Sequence, residues 1–109
     1  MTDHRHAVLE GTRIRRTTTP TDAQVESAVL GMARDSVVVL SEVGDDHTYI
    51  QVWQRPDGLY QLEHRAGSPV EHFQTMTVSA EKVHTAFVGW LRDEDWADVF
   101  TWKEISELF

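Results

Sequence analysis

The sequence predicts an α+β domain: a four-stranded antiparallel sheet, two main helices packed mainly on one face of it, and a short C-terminal helix. Residues 49 to 65 read as two arms of alternating polarity around Pro56-Asp57-Gly58. That is the chemistry of a three-residue hairpin loop with glycine in the left-handed position. Val83, Ala86, Phe87, Trp90 and Leu91 recur at helical spacing, and so do Val25, Ala28, Val29 and Met32. Each set forms one apolar stripe.

Residues 1–18 show no periodicity and end on Arg15-Arg16-Thr17-Thr18. They are expected to form a flexible basic tail, with a short edge strand at 11–18 as their most regular part, and residues 19–109 to form the folded domain. Thr19-Pro20-Thr21-Asp22 suits a helix start, because proline fits the first turn, threonine caps, and aspartate complements the positive helix end. This helix is expected to run to about Arg34. Ser36–Glu42 holds Val37-Val38-Val39-Leu40, a β-branched run that reads as a strand buried on both faces. Gly44-Asp45-Asp46 is a turn into the hairpin. With Arg55 opposite Leu59, Trp53 pairs with Gln61, Val52 with Leu62, Gln51 with Glu63 and Ile50 with His64. After a connection at Ala66-Gly67-Ser68-Pro69, residues 72–78 alternate as a fourth strand. Ser79 caps the second helix, with Glu81 in its first turn. Thr101-x-x-Glu104 is a capping-box pattern, which predicts the short final helix carrying Ile105, Leu108 and Phe109.

Composition narrows the function classes. At 109 residues the chain is near the size at which one core stands alone, and its 40% apolar content includes four tryptophans. The absence of cysteine excludes disulfides, thiolate metal sites and cysteine nucleophiles. The N-terminus lacks the apolar run of a secretory leader and no stretch has the length of a membrane span, so a cytoplasmic location is expected. The net charge is −8, unevenly spread: Arg5, Arg13, Arg15 and Arg16 outweigh Asp3 and Glu10 at the N-terminus, while the remainder is strongly acidic. An acidic body disfavours nucleic acid and suits a basic partner surface.

Chemistry-bearing constellations are sparse. Glu63-His64 and Glu71-His72 fall on neighbouring strands and could bring two imidazoles and a carboxylate together, yet the spacing matches no established zinc pattern. No serine sits in a nucleophile elbow, His84 reads as a helix-surface residue, and the glycines are too scattered for a phosphate loop. A non-enzymatic protein with no cofactor is expected. The hairpin register instead gathers Tyr49, Gln51, Trp53, Gln61, Glu63 and Arg65 on the face opposite Ile50, Val52, Tyr60 and Leu62. Rigid aromatics beside amides and one charge pair are what interface hot spots use, because they bury area at little entropic cost; the alternative is that a helix covers this face and the aromatics belong to the core. Asp93, Glu94, Asp95 and Asp98 bracket Trp96 as an electrostatic rim, or as a loop that tucks one tryptophan into the core.

The succession of the Pro56-Asp57-Gly58 hairpin with Tyr60 beyond it, Phe73, the Val83–Trp90 stripe and the closing Trp102-Lys103-Glu104-Ile105 resembles small actinobacterial proteins of unassigned role. It is also similar to immunity proteins that neutralise polymorphic bacterial toxins. The resemblance covers about residues 46–105. It implies a compact α+β binding module that blocks a basic protein partner by surface contact, and it carries over no site residues. Two further expectations stand beside this one. A small regulatory protein could use its Arg-rich N-terminus on nucleic acid or an acidic partner, and an exposed edge strand could pair two copies into a homodimer.

Overall fold

A computed structural model describes residues 5–66, 72–94, 96 and 103–104. Along the chain run β1 (Ala7–Gly11), β2 (Thr17–Thr18), α1 (Asp22–Leu30), β3 (Ser36–Glu42), β4 (Asp45–Gln54), β5 (Tyr60–Ala66), β6 (His72–Thr77), α2 (Ala80–Leu91) and β7 (Lys103–Glu104). All strand pairs are antiparallel, and the order across the sheet is β2-β1-β3-β4-β5-β6-β7.

The class is α+β, but the expected four-stranded sheet is too small. Beyond those four, β2 falls within the short edge strand expected at 11–18, while β1 and β7 were missed. Residues 1–18, read as a tail, contribute β1 and β2, and β1 lies inside the sheet, paired with both β2 and β3. Ala7, Val8 and Leu9 are buried there. Three apolar residues are too few to show a period, so only the neighbouring strand reveals what they cover. The expected C-terminal helix is corrected at Lys103–Glu104, while Ile105, Leu108 and Phe109 lie outside the described residues. Lys103–Glu104 is a strand on the outer edge of β6, with Phe73 opposite Glu104 and Gln74 opposite Lys103. A capping box is a four-residue pattern, whereas the unpaired backbone of β6 offers main-chain hydrogen bonds that a local pattern does not register.

Other elements follow their local chemistry. Thr21 and Gln24 form the reciprocal capping box of α1, and Pro20 ahead of it is buried. The helix stops at Leu30, earlier than the expected Arg34, with Gly31 as its cap. Ser79 caps α2 through the backbone N–H of Lys82. In β3 burial alternates, with Ser36, Val38 and Leu40 inside and Val37 and Val39 half-buried. The strand is therefore covered by helices on one face, not enclosed on both.

Alternation divides the sheet. Leu9, Val38, Leu40, Ile50, Val52, Tyr60 and Leu62 meet Val25 and Val29 of α1 and Val83, Phe87, Trp90 and Leu91 of α2 in one core. Each fully buried aliphatic or aromatic side chain contributes about 1.5–3 kcal/mol. Arg92, the C-cap of α2, reaches Asp22 at the start of α1 through its Nε at 2.8 Å, and a second guanidinium N–H shares the same oxygen. This hydrogen bond pushes the Arg92 guanidinium further up from its already high range. Arg5 ties the first strand to α2: its Nε donates to the Trp90 carbonyl at 2.8 Å, and its guanidinium lies 4.7 Å from the centre of a Trp90 ring.

Two substitutions test this packing. Leu9→Ala should cost about 2–5 kcal/mol in urea unfolding, the range of buried leucine truncations; a change below about 0.5 kcal/mol would be the behaviour of a tail. Gly89→Ala should destabilise α2, although alanine is ordinarily the better helix former by about 1 kcal/mol. A Cβ there would lie 2.6 Å from the Trp96 Cβ, forcing out the indole that packs on the core. Thermal unfolding reads the sign.

Candidate functional site

The β4–β5 pairing places all six hairpin residues singled out from sequence on one face. Tyr49 stands opposite Arg65, Gln51 opposite Glu63, and Trp53 opposite Gln61. The loop closes as expected, with the Arg55 N–H on the Leu59 carbonyl at 2.8 Å and Gly58 at φ +92°. Both described helices pack against the other face. Tyr49, Gln51, Trp53, Gln61 and Arg65 are half-buried, and Glu63 is 8% exposed. Val37 and Val39 of β3 lie beside Trp53 and Gln51, and Met76 of β6 lies beside Gln61, so the polar centre has an apolar border.

The side chains on this face hold one another in place. Gln51 donates from Nε2 to Glu63 Oε2 at 2.9 Å. The Trp53 indole N–H donates to Asp35 Oδ1 at 3.0 Å. Asp35 adopts φ +62°, a left-handed conformation that aspartate tolerates better than most residues, and its own N–H binds the Gln54 carbonyl at 2.6 Å. The Arg55 guanidinium lies 5.8 Å from the Trp53 ring centre, pairs with Asp57 at 3.4 Å and reaches Met76 Sδ at 3.7 Å. At the other end Arg65 lies 5.7 Å from the Tyr49 ring centre, with its Nη1 at 3.4 Å from His47 Nδ1. Burial pushes the Tyr49 phenol up; the Arg65 charge opposes this and the Glu63 charge adds to it. Aromatic side chains with fixed rotamers lose little entropy when a partner covers them.

Asp35, Arg55 and Met76 were not among the residues singled out from sequence. Arg55 was within reach of the argument, being two residues from Trp53 on the same strand face. Asp35 was not, because its contact crosses from the α1–β3 connection.

Asp93 and Glu94 do not join this face. They follow α2 on the helix side, where Asp93 pairs with Arg5 at 2.8 Å and Glu94 with Arg92 at 3.8 Å. Asp95 and Asp98 lie outside the described residues. Trp96 packs partly buried against the core, with its ring centre 5.1 Å from that of His64, edge to face. His64 also stacks on Phe73 at 5.1 Å. In the β5–β6 register His64 pairs with Phe73 while His72 pairs with Arg65, so the two histidines are one position out of step. Among the described residues no three His, Asp or Glu side chains gather to hold a metal, and no described helix is long and apolar enough to cross a membrane.

The phenol of Tyr49 reports on the face directly. Arg65→Ala should raise its titration midpoint further, because the charge that favours the phenolate is gone; ring-carbon NMR across an alkaline titration measures it. An unchanged or lowered midpoint would mean that Arg65 does not lie over the ring in solution.

No family model, curated protein or solved structure matches this chain.

Proposed function

We propose that this protein is a non-enzymatic binding module that engages another protein through the β4–β5 face, in the manner of an immunity-type inhibitor of a basic partner. One observation carries the reading. Trp53 and Tyr49 stand on a sheet face that no described helix covers, each with its ring beside an arginine and Trp53 also hydrogen-bonded by Asp35. Prearranged aromatics with arginine and amide neighbours are the composition of a hot spot. The resemblance of the hairpin, the α2 stripe and the closing segment to toxin-immunity proteins supports an inhibitory role for such a face.

The net charge of −8 would draw a basic partner in from a distance. Asp93 and Glu94 already have arginine partners within the chain, so the acidic rim acts through the field of the whole molecule and less through contact. Steering of this kind raises the association rate and fades with salt.

Immobilised wild-type protein, Trp53→Ala and Glu81→Ala, each exposed to lysate of the source organism, test the reading. A basic protein should be held by wild type and by Glu81→Ala, whose change lies on exposed α2 surface. Its affinity for Trp53→Ala should fall by about 30-fold, the effect of losing about 2 kcal/mol, and higher salt should slow its capture. Equal retention by Trp53→Ala would remove the face from consideration.

A further inference from the structure

The loop between β1 and β2 lies against α1 and leaves an open cleft of about 450 Å³ between them, apart from the hairpin face. Leu9, Ile14 and Ala28 form its apolar part, and Arg15, Thr17 and Ser27 stand among its polar lining residues. Its volume falls within the roughly 300–1,000 Å³ of small-molecule sites.

The loop is shaped to make this arrangement. Ile14 turns inward and packs against the core, while Arg13, Arg15 and Arg16 on either side of it are exposed. Gly11 permits the tuck, because a Cβ at that position would lie 2.5 Å from the Val37 carbonyl oxygen and 2.9 Å from Ile14 Cγ1. Arg16 is neutralised by Glu10 at 2.9 Å. Among the described residues no carboxylate pairs with the guanidinium of Arg13 or of Arg15. A chain of net charge −8 thus keeps Arg15, with no carboxylate partner among the described residues, in the lining of this cleft, and Arg13 two positions away along the loop.

We propose that this cleft is a second binding site, for a free single-chain amphiphile that ends in a carboxylate. Its apolar chain lies along Leu9, Ile14 and Ala28, and its carboxylate pairs with Arg15, with Arg13 adding to the local positive potential. A bidentate guanidinium–carboxylate pair orients such a ligand, and burial of its methylenes adds to the binding. The site is independent of the hairpin face and of the protein partner proposed for it.

Titration of isotopically labelled protein with decanoate, followed by amide NMR, tests the proposal. Saturable shifts should centre on Leu9, Ser27 and Ala28, and Trp53→Ala should bind as wild type does. Arg15→Glu should weaken binding by about tenfold, as expected for reversing one contacting charge. Ala23→Trp, at an exposed position lining the cleft, should abolish it while the spectrum stays dispersed. Decanol and decyltrimethylammonium should bind more weakly than decanoate. Equal shifts from all three probes, insensitivity to Arg15→Glu, shifts centred on Trp53, or binding only to anionic vesicles would each overturn the proposal.

Discussion

Because Pro56-Asp57-Gly58 reverses the chain with Gly58 at φ +92°, β4 and β5 meet in one register, and that register decides what every neighbouring element must do. A slip of β5 by one residue would turn Tyr60 and Leu62 outward and carry Glu63 and Arg65 beneath the helices. Burying such charges away from their partners costs several kcal/mol. The turn chemistry and the burial pattern therefore specify the same pairing. Strand β3 takes its alignment from β4, with Val38 beside Val52 and Leu40 beside Ile50. Strand β1 takes its own from β3, with Leu9 beside Leu40.

The helices close over the apolar face that results. Val83, Phe87 and Leu91 of α2 and Val25 and Val29 of α1 are fully buried, and their transfer from water contributes far more than the ion pairs at the helix ends. Those pairs are partly exposed, and such contacts contribute about 0–1 kcal/mol each. Their role is geometric. Arg92 joins the end of α2 to the start of α1, and Arg5 joins the approach to β1 to α2 and to Glu42 at the end of β3.

This division also separates two electrostatic roles. Asp22, Glu26, Glu81, Asp93 and Glu94 belong to the helix layer or its ends, whereas the hairpin face carries Arg55 and Arg65 alongside Glu63. Long-range attraction and close contact would then arise on different sides of the molecule. Charges outside a contact mainly affect how fast partners meet, and groups within it affect how long they stay. On the proposed reading, the aromatic pair decides affinity and the acidic body decides capture.

Much of the centre of the fold was legible in the residues themselves. The hairpin register, the cap at Ser79, and the stripe from Val83 to Leu91 are each written in a few adjacent positions, because turns, caps and helical periods arise from interactions within one or two turns of chain. So was the composition of the hairpin face, since alternation along a strand assigns sides without reference to anything distant. What lay beyond that reach was decided by tertiary structure. Ala7-Val8-Leu9 became a strand because β3 offered an unpaired edge and an apolar face, and Lys103–Glu104 became one against β6 despite a local helix signal. Asp35 found the Trp53 indole across the α1–β3 connection, and Asp93 and Glu94 found arginines instead of the hairpin. Sequence alone determined an α+β chain with one specified hairpin and its two faces; only tertiary structure decided how wide the sheet grew and which charges stayed free, because edge pairing and ion pairing depend on groups far apart in the chain.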